Sequence, residues 1–195
     1  MTVQFTDLDL RPELVQAVAA LGYAEPTPIQ AALIPVMLTG ADVIGQAQTG
    51  TGKTAAFALP ILNHLEPGGR HVQALVLCPT RELALQVAGA ISGYGKVRSA
   101  RVLAVYGGQP YGPQISQLNR GVEVVVGTPG RLLDLLERNA LNIRHIRTLV
   151  LDEADEMLSM GFIDDIESIL IQTPTERQTA LFSATLPAPI RRLAD

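Results

Sequence analysis

A chain of 195 residues has the length of one domain. Hydrophobic residues make up 47% of it and charged residues 17%, so it can bury a sizeable core, and its lean polar surface points to a part that is covered in the complete molecule. The formal net charge of −4 excludes nucleic-acid binding by bulk positive charge, so any such site must be local.

The single cysteine, Cys78, forms no internal disulfide, and the scattered His64, His71 and His145 offer no cluster for a structural metal. The start, MTVQFTDLDL, lacks the basic and apolar regions of a signal peptide. No apolar run approaches the ~20 residues of a membrane helix. The expectation is a cytoplasmic protein with no membrane partner; oligomeric state is left open.

The first informative element is Pro26-Thr27-Pro28-Ile29-Gln30, which reads as a helix start. Thr27 is the candidate N-cap, Pro28 the first helical residue, and Gln30 completes a capping box. The same amide could instead read adenine, donating to N7 and accepting from the N6 amino group. Spacing leaves both readings open and, on its own, tilts toward the cap.

Residues 42–47 form a short apolar run, the first of six; the others are 73–78, 101–106, 122–128, 147–152 and 178–183. Most are Val- and Leu-rich with little polar alternation, as in strands buried on both faces of a parallel sheet. Helix-like stretches such as 81–91 and 130–139 lie between them, and EPGGR at 66–70 reads as a surface turn. The alternation predicts an α/β domain of three layers, with a mainly parallel central sheet flanked by helices. Ligands of such sheets bind beyond the carboxyl ends of the strands. The polar signatures AQTGTGKT, PTREL, GTPGR, DEAD and SAT all follow apolar runs, which places them on that one edge.

After the first run, residues 47–54 read Ala-Gln-Thr-Gly-Thr-Gly-Lys-Thr and lead into a helix-compatible stretch. Gly50 and Gly52 let backbone N–H groups turn around a phosphate, and the helix start adds free donors. Lys53 is then placed for the β- and γ-phosphates, and the Thr54 hydroxyl for Mg²⁺. The generic phosphate-loop pattern starts with Gly where this chain has Ala47. A strand-to-helix turn without chemistry is the alternative; the order strand, loop, helix favours the phosphate site.

The fifth run ends in Asp152-Glu153-Ala154-Asp155. Neighbouring residues at a strand end point to opposite sides, which assigns Asp152 to Mg²⁺ and Glu153 to a water beside the γ-phosphate. An acidic helix start would explain DEAD alone, because carboxylates there favour the dipole; after a phosphate loop that reading recedes. Thr128-Pro129 and Thr80-Arg81 mark further helix starts, where capping is the plain alternative to phosphate binding. Cys78, Met157 and Met160 read as packing residues.

Together these motifs resemble the N-terminal RecA-like domain of DEAD-box RNA helicases, over essentially the whole chain. The Q-motif corresponds to residues 22–30 with an upstream aromatic at Phe5, motif I to 47–54, motif Ia to 79–83, and the GG motif to Gly107 and Gly108. Motif Ib corresponds to 128–131, motif II to 152–155 and motif III to 183–185.

The resemblance implies that Gln30 reads adenine, that Tyr23 stacks near the base, and that Thr49, Gly50, Thr51, Gly52, Lys53 and Thr54 hold ATP. Lys53, Asp152 and Glu153 would be catalytic, and Thr54 and Asp152 would hold Mg²⁺. Ser183 and Thr185 would bond Asp155 and couple ATP to RNA. Pro79, Thr80, Arg81, Gly107, Gly108, Thr128 and Arg131 would bind the RNA backbone without reading sequence. It also implies one domain over 1–195, with residues 1–30 as an extension carrying the Q-motif, and a second RecA-like domain lying outside this chain. ATP binding with little or no unwinding is then expected of the chain alone. Two other classes remain in view, a non-catalytic ATP-binding module and a DNA helicase or recombinase of related fold.

Overall fold

The computed structural model describes residues 1–195. Six strands form one sheet: β1 (Val43–Gln46), β2 (Ala74–Leu77), β3 (Val102–Val105), β4 (Val124–Gly127), β5 (Thr148–Leu151) and β6 (Gln178–Ser183). β6 fills its apolar run, and each of the other five lies inside one of the runs, trimmed at the ends. Every pairing is parallel, in the order β1-β6-β5-β2-β4-β3.

Nine α-helices cover the sheet: α1 (Pro12–Ala20), α2 (Pro28–Leu38), α3 (Lys53–His64), α4 (Arg81–Gly95), α5 (Tyr111–Arg120), α6 (Pro129–Glu137), α7 (Ala154–Ser159), α8 (Ile163–Leu170) and α9 (Ala188–Ala194). Strand residues alternate between two cores. Val76 and Cys78 point into a layer with Phe57, Val87 and Ile91, whereas Leu75 and Leu77 point into one with Leu132, Met157 and Ile166. All four residues of β2 and of β4 are buried, which explains their lack of polar alternation. β1 is an edge strand, and there alternation returns, with Ile44 49% exposed.

The first twenty residues send part of their apolar side chains into the core and leave the rest at the surface. Phe5, Leu8, Leu14 and Val18 join the cluster beneath α3 and α4. Arg11 fixes them further, its backbone N–H donating to Asn63 Oδ1 at 2.7 Å and its Nε to the Asn63 carbonyl at 2.8 Å.

The predicted helix starts hold with one difference. Thr27 caps α2 with Pro28 at its first turn, and the Thr80 hydroxyl caps α4 by accepting from Leu83 N–H at 3.2 Å. Thr128 occupies the cap position of α6, but its hydroxyl accepts no capping bond. Met157 is buried as expected, while Met160, at the end of α7, is 46% exposed.

Candidate functional site

Because all strands are parallel and in register, the segments after β1, β2, β3, β4, β5 and β6 emerge on the same edge. Leu77 lies beside both Gly127 and Leu151, and Gln46 beside Ser183. The phosphate-loop sequence, the acidic tetrad and Ser183-Ala184-Thr185 therefore meet.

The loop between β1 and α3 turns on Gly50 (φ +86°) and Gly52 (φ +82°), backbone conformations that L side chains rarely adopt. At Gly52 space is also short: a Cβ there would stand 2.6 Å from Gln30 Nε2 and 2.9 Å from Thr27 Oγ1. The Gln30 amide fills that space. Its Oε1 accepts from Thr27 N–H at 3.0 Å, completing the capping box, and its Nε2 donates to the Gly52 carbonyl at 3.0 Å. Gln30 is 2% exposed. One side chain thus caps α2 and braces the loop.

Lys53 opens α3 and is nearly buried. Its Nζ stands 3.0 Å from Asp152 Oδ1 and 3.4 Å from Glu153 Oε1. Both carboxylates face the same ammonium, so the expectation that they point to opposite sides is corrected. The reason is local. The strand ends at Leu151, and Glu153 adopts a left-handed conformation (φ 52°, ψ 53°), which breaks the two-residue alternation. For a side-chain-bearing residue this costs roughly 1–2 kcal/mol, and such strain gathers where structure serves a site.

Asp152 is fully buried, with the Lys53 ammonium 3.0 Å from Oδ1 as its charged partner and no well-aligned donor on either oxygen. Burial pushes its carboxyl above the ordinary range, Lys53 pulls it back in part, and Glu153 adds repulsion. The same carboxylates, after burial itself, push the neighbouring Cys78 thiol up, which makes it an inert core group. Orphaned buried carboxylate oxygens beside a loop of free N–H donors fit a hard cation accompanying a phosphate. Thr54, next on α3 and partly exposed, is the hydroxyl at hand. No group of three or more His, Cys, Asp and Glu side chains converges anywhere, so a metal here would draw most of its ligands from phosphate and water.

Asp155 is tied to the end of β6. Its Oδ2 accepts from Thr185 N–H and Thr185 Oγ1, each at 3.1 Å, and its own N–H donates to Ser183 Oγ at 3.1 Å. Burial raises this carboxyl, but the Ser183 and Thr185 hydroxyls and the backbone donors of Thr185 and Glu156 outweigh it and hold it below its ordinary value. β6 is in turn bonded to the phosphate loop, Ala47 N–H donating to the Ser183 carbonyl at 3.2 Å.

Two adjoining recesses share Ala47 and Gln48. One, of about 290 Å³, is walled by Thr49, Lys53, Glu153 and Asp155. The other, of about 720 Å³, lies between the start of α2 and the loop, walled by Thr27, Ile29, Gly50 and Thr51. Tyr23 lines neither; its ring lies 6.3 Å from that of Tyr94, and the two hydroxyls are 3.4 Å apart.

The residues expected at RNA share the carboxyl edge but differ in access. Gly107 and Gly108 are exposed, Thr80 and Thr128 partly so, and Pro79 is buried. Arg81 is exposed, its guanidinium 4.9 Å above the Tyr106 ring. Arg131 is buried: it donates to Gln114 Oε1 at 3.0 Å and to the Gln109 carbonyl at 2.9 Å, and lies 4.1 Å over Tyr111. It therefore fastens the turn after Gly107-Gly108 to α6. Sequence reasoning passed over Tyr106, Tyr111 and Gln114; the two tyrosines flank the glycine pair and could have been noticed, whereas a buried Gln leaves no pattern.

The family of DEAD/DEAH box helicases matches this chain over residues 27–193. The chain is similar to the DEAD-box ATP-dependent RNA helicase CshA of Bacillus subtilis, with 53% identity over 195 residues, which are 100% of this chain and 40% of that protein. It is similar to the ATP-dependent RNA helicase DeaD of Mycobacterium tuberculosis, with 56% identity over 191 residues, 97% of this chain and 34% of that protein. Among solved structures, a DEAD box protein from the hyperthermophile Methanococcus jannaschii superposes with a TM-score of 0.94 and 41% identity, covering 98% of this chain and 52% of that one. The chain thus spans 40% or less of the length of these two helicases.

Proposed function

The chain belongs to the DEAD/DEAH box helicase family, and from that premise we propose that residues 1–195 are the N-terminal RecA-like, ATP-binding domain of an ATP-dependent RNA helicase. In this reading a second RecA-like domain completes the site, and the chain alone binds adenine nucleotide with little or no unwinding.

The observation that carries the proposal is the meeting of Lys53, Asp152 and Glu153 beside the glycine-bent loop. In the nucleotide-bound state, loop N–H groups and the start of α3 would cradle the phosphates. Thr49, Gly50, Thr51 and Gly52 supply that curve. Lys53 would exchange its carboxylate partners for phosphate oxygens, leaving Asp152 and Thr54 to hold Mg²⁺. Magnesium supplies charge neutralisation on the phosphates. Glu153, 27% exposed and bordering the smaller recess, is placed to orient the attacking water and take its proton. The base would occupy the larger recess.

Gln30 lies behind the wall of that recess and is 2% exposed, so adenine would have to reach it past Thr27; an amide has two donor hydrogens and two acceptor sites, and capping and bracing use one of each. The cap and the base reader are therefore compatible rather than competing. Tyr23 would have to leave Tyr94 to stack on the base. RNA would run over the exposed Gly107-Gly108 turn, Arg81 and the cap positions Thr80 and Thr128, with Pro79 and Arg131 supporting them from beneath. The Asp155–Ser183–Thr185 contacts connect β6 to the acidic turn, a route by which RNA engagement could reach the phosphates.

The test is Glu153→Gln in the complete two-domain protein. ATP binding is expected to persist while RNA-stimulated hydrolysis is lost; undiminished turnover would remove Glu153 from this role.

A further inference from the structure

An arginine stands ahead of five strands: Arg101, Arg147 and Arg177 immediately before β3, β5 and β6, and Arg70 and Arg120 four residues before β2 and β4. Parallel pairing gathers these at the amino ends of the strands, the edge opposite the recesses. Two are neutralised locally, Arg101 by buried Glu123 at 2.6 Å and Arg147 by Glu66 at 2.9 Å. Arg101 also donates to the carbonyls of Gly69 at 2.8 Å and Arg120 at 3.2 Å, which draws the turns carrying Arg70 and Arg120 together.

Arg70, Arg120 and nearby Arg144 are exposed, and none has a carboxylate within ion-pair distance. His71, beside Arg70, and His145, beside Arg144, are exposed with ring centroids 4.1 Å apart. Arg70, His71 and Asn142 rim one recess of about 110 Å³ whose remaining walls are Val72, Leu118, Val122, Ala140 and Leu141. A chain of net charge −4 has carboxylates to place, yet none meets these three guanidiniums. Unpaired guanidiniums on neighbouring turns attract an anion.

The chemistry favours a nucleic-acid strand over an acidic protein. Guanidiniums and an amide suit phosphate and sugar, and exposed imidazole faces suit an unstacked base.

We propose that this amino-end edge is a second, sequence-independent contact surface for single-stranded RNA. Arg70, Arg120 and Arg144 meet phosphates there, and the His71–His145 pair meets a base. The inference rests on the RNA reading above but uses none of that reading's residues.

The experiment measures binding of a fluorescein-labelled oligouridine to the 195-residue chain by anisotropy across a salt series. It compares the chain with a triple Arg→Gln variant at Arg70, Arg120 and Arg144, and with the triple Arg→Lys variant. Each phosphate contact contributes ~0.7 to the slope of log K against log salt for a single strand, so the Gln variant should lose about 2 from the slope and the Lys variant should keep it. Photocross-links from thiouridine should map to residues 70–73 and 142–145 besides the carboxyl edge. An unchanged slope in the Gln variant, no RNA association at all, or binding of polyglutamate in place of RNA overturns the proposal. Adenine-nucleotide binding on the same samples separates the two readings: intact nucleotide binding with an unchanged slope rejects only the amino-end surface.

Discussion

Asp152 combines a stability cost with a functional asset. Both its oxygens are buried without a well-aligned donor, and burial raises its carboxyl above the ordinary range. An unsatisfied buried polar group costs ~1–3 kcal/mol, and function-directed sites commonly carry such costs. Asp152→Asn leaves the nearly buried Lys53 with Glu153 alone, so the melting temperature of the nucleotide-free chain is expected to fall, while Mg·ATP affinity falls tenfold or more, ~1.4 kcal/mol. Calorimetric melting and titration check the two halves, and an unchanged melting temperature with unchanged affinity would reverse the account. At Gln30 the two roles can be separated by chemistry. Gln30→Glu keeps an acceptor for Thr27 N–H but loses the donor to Gly52 and to adenine N7. The preference for ATP over GTP should collapse in this variant, read by competition binding. Gln30→Ala should in addition cost ~1 kcal/mol of stability, as a lost cap does. A Gln30→Glu variant that still prefers adenine would leave capping as this residue's whole task.

At the scale of elements, the contact between α7 and the end of β6 is sensitive to pH. Hydroxyl and backbone donors outweigh burial and hold Asp155 below its ordinary value. A carboxyl lowered in the folded state contributes stability that is present above the ordinary carboxylate range and lost as pH falls through its folded value. Thr185→Val removes one donor, so the Asp155 titration seen by carboxyl NMR should move up toward that of a free aspartate; no movement would mean that the hydroxyl contact is absent in solution. Elements also show what a sequence discloses. The inner strands β2, β4, β5 and β6 are legible because strands buried on both faces carry little polar alternation, the edge strands β1 and β3 only as short apolar runs, and the helix starts because a cap residue opens each, followed by proline at Thr27 and Thr128. The start of α5 was hidden, since Gly112 and Pro113 in its first turn read as breakers. The orientation of Glu153 was misjudged because strand alternation stops one residue earlier than DEAD suggests. The burial of Arg131 and the Tyr23–Tyr94 contact are tertiary facts that no local spacing encodes.

For the molecule as a whole, parallel topology does the organising. It brings signatures from six separate segments to one edge, and it leaves the cationic turns on the other. The phosphate loop is braced from two directions, by Gln30 on the α2 side and by the Ser183 carbonyl on the β6 side. Rearrangement at the nucleotide can therefore be felt at both α2 and the acidic turn. The most direct measurement is calorimetric titration of the 195-residue chain with ATP, with and without magnesium, repeated for Lys53→Gln. One nucleotide should bind per chain, more tightly with magnesium, and Lys53→Gln should weaken it at least tenfold. No association, or association indifferent to both magnesium and Lys53, would contradict the account.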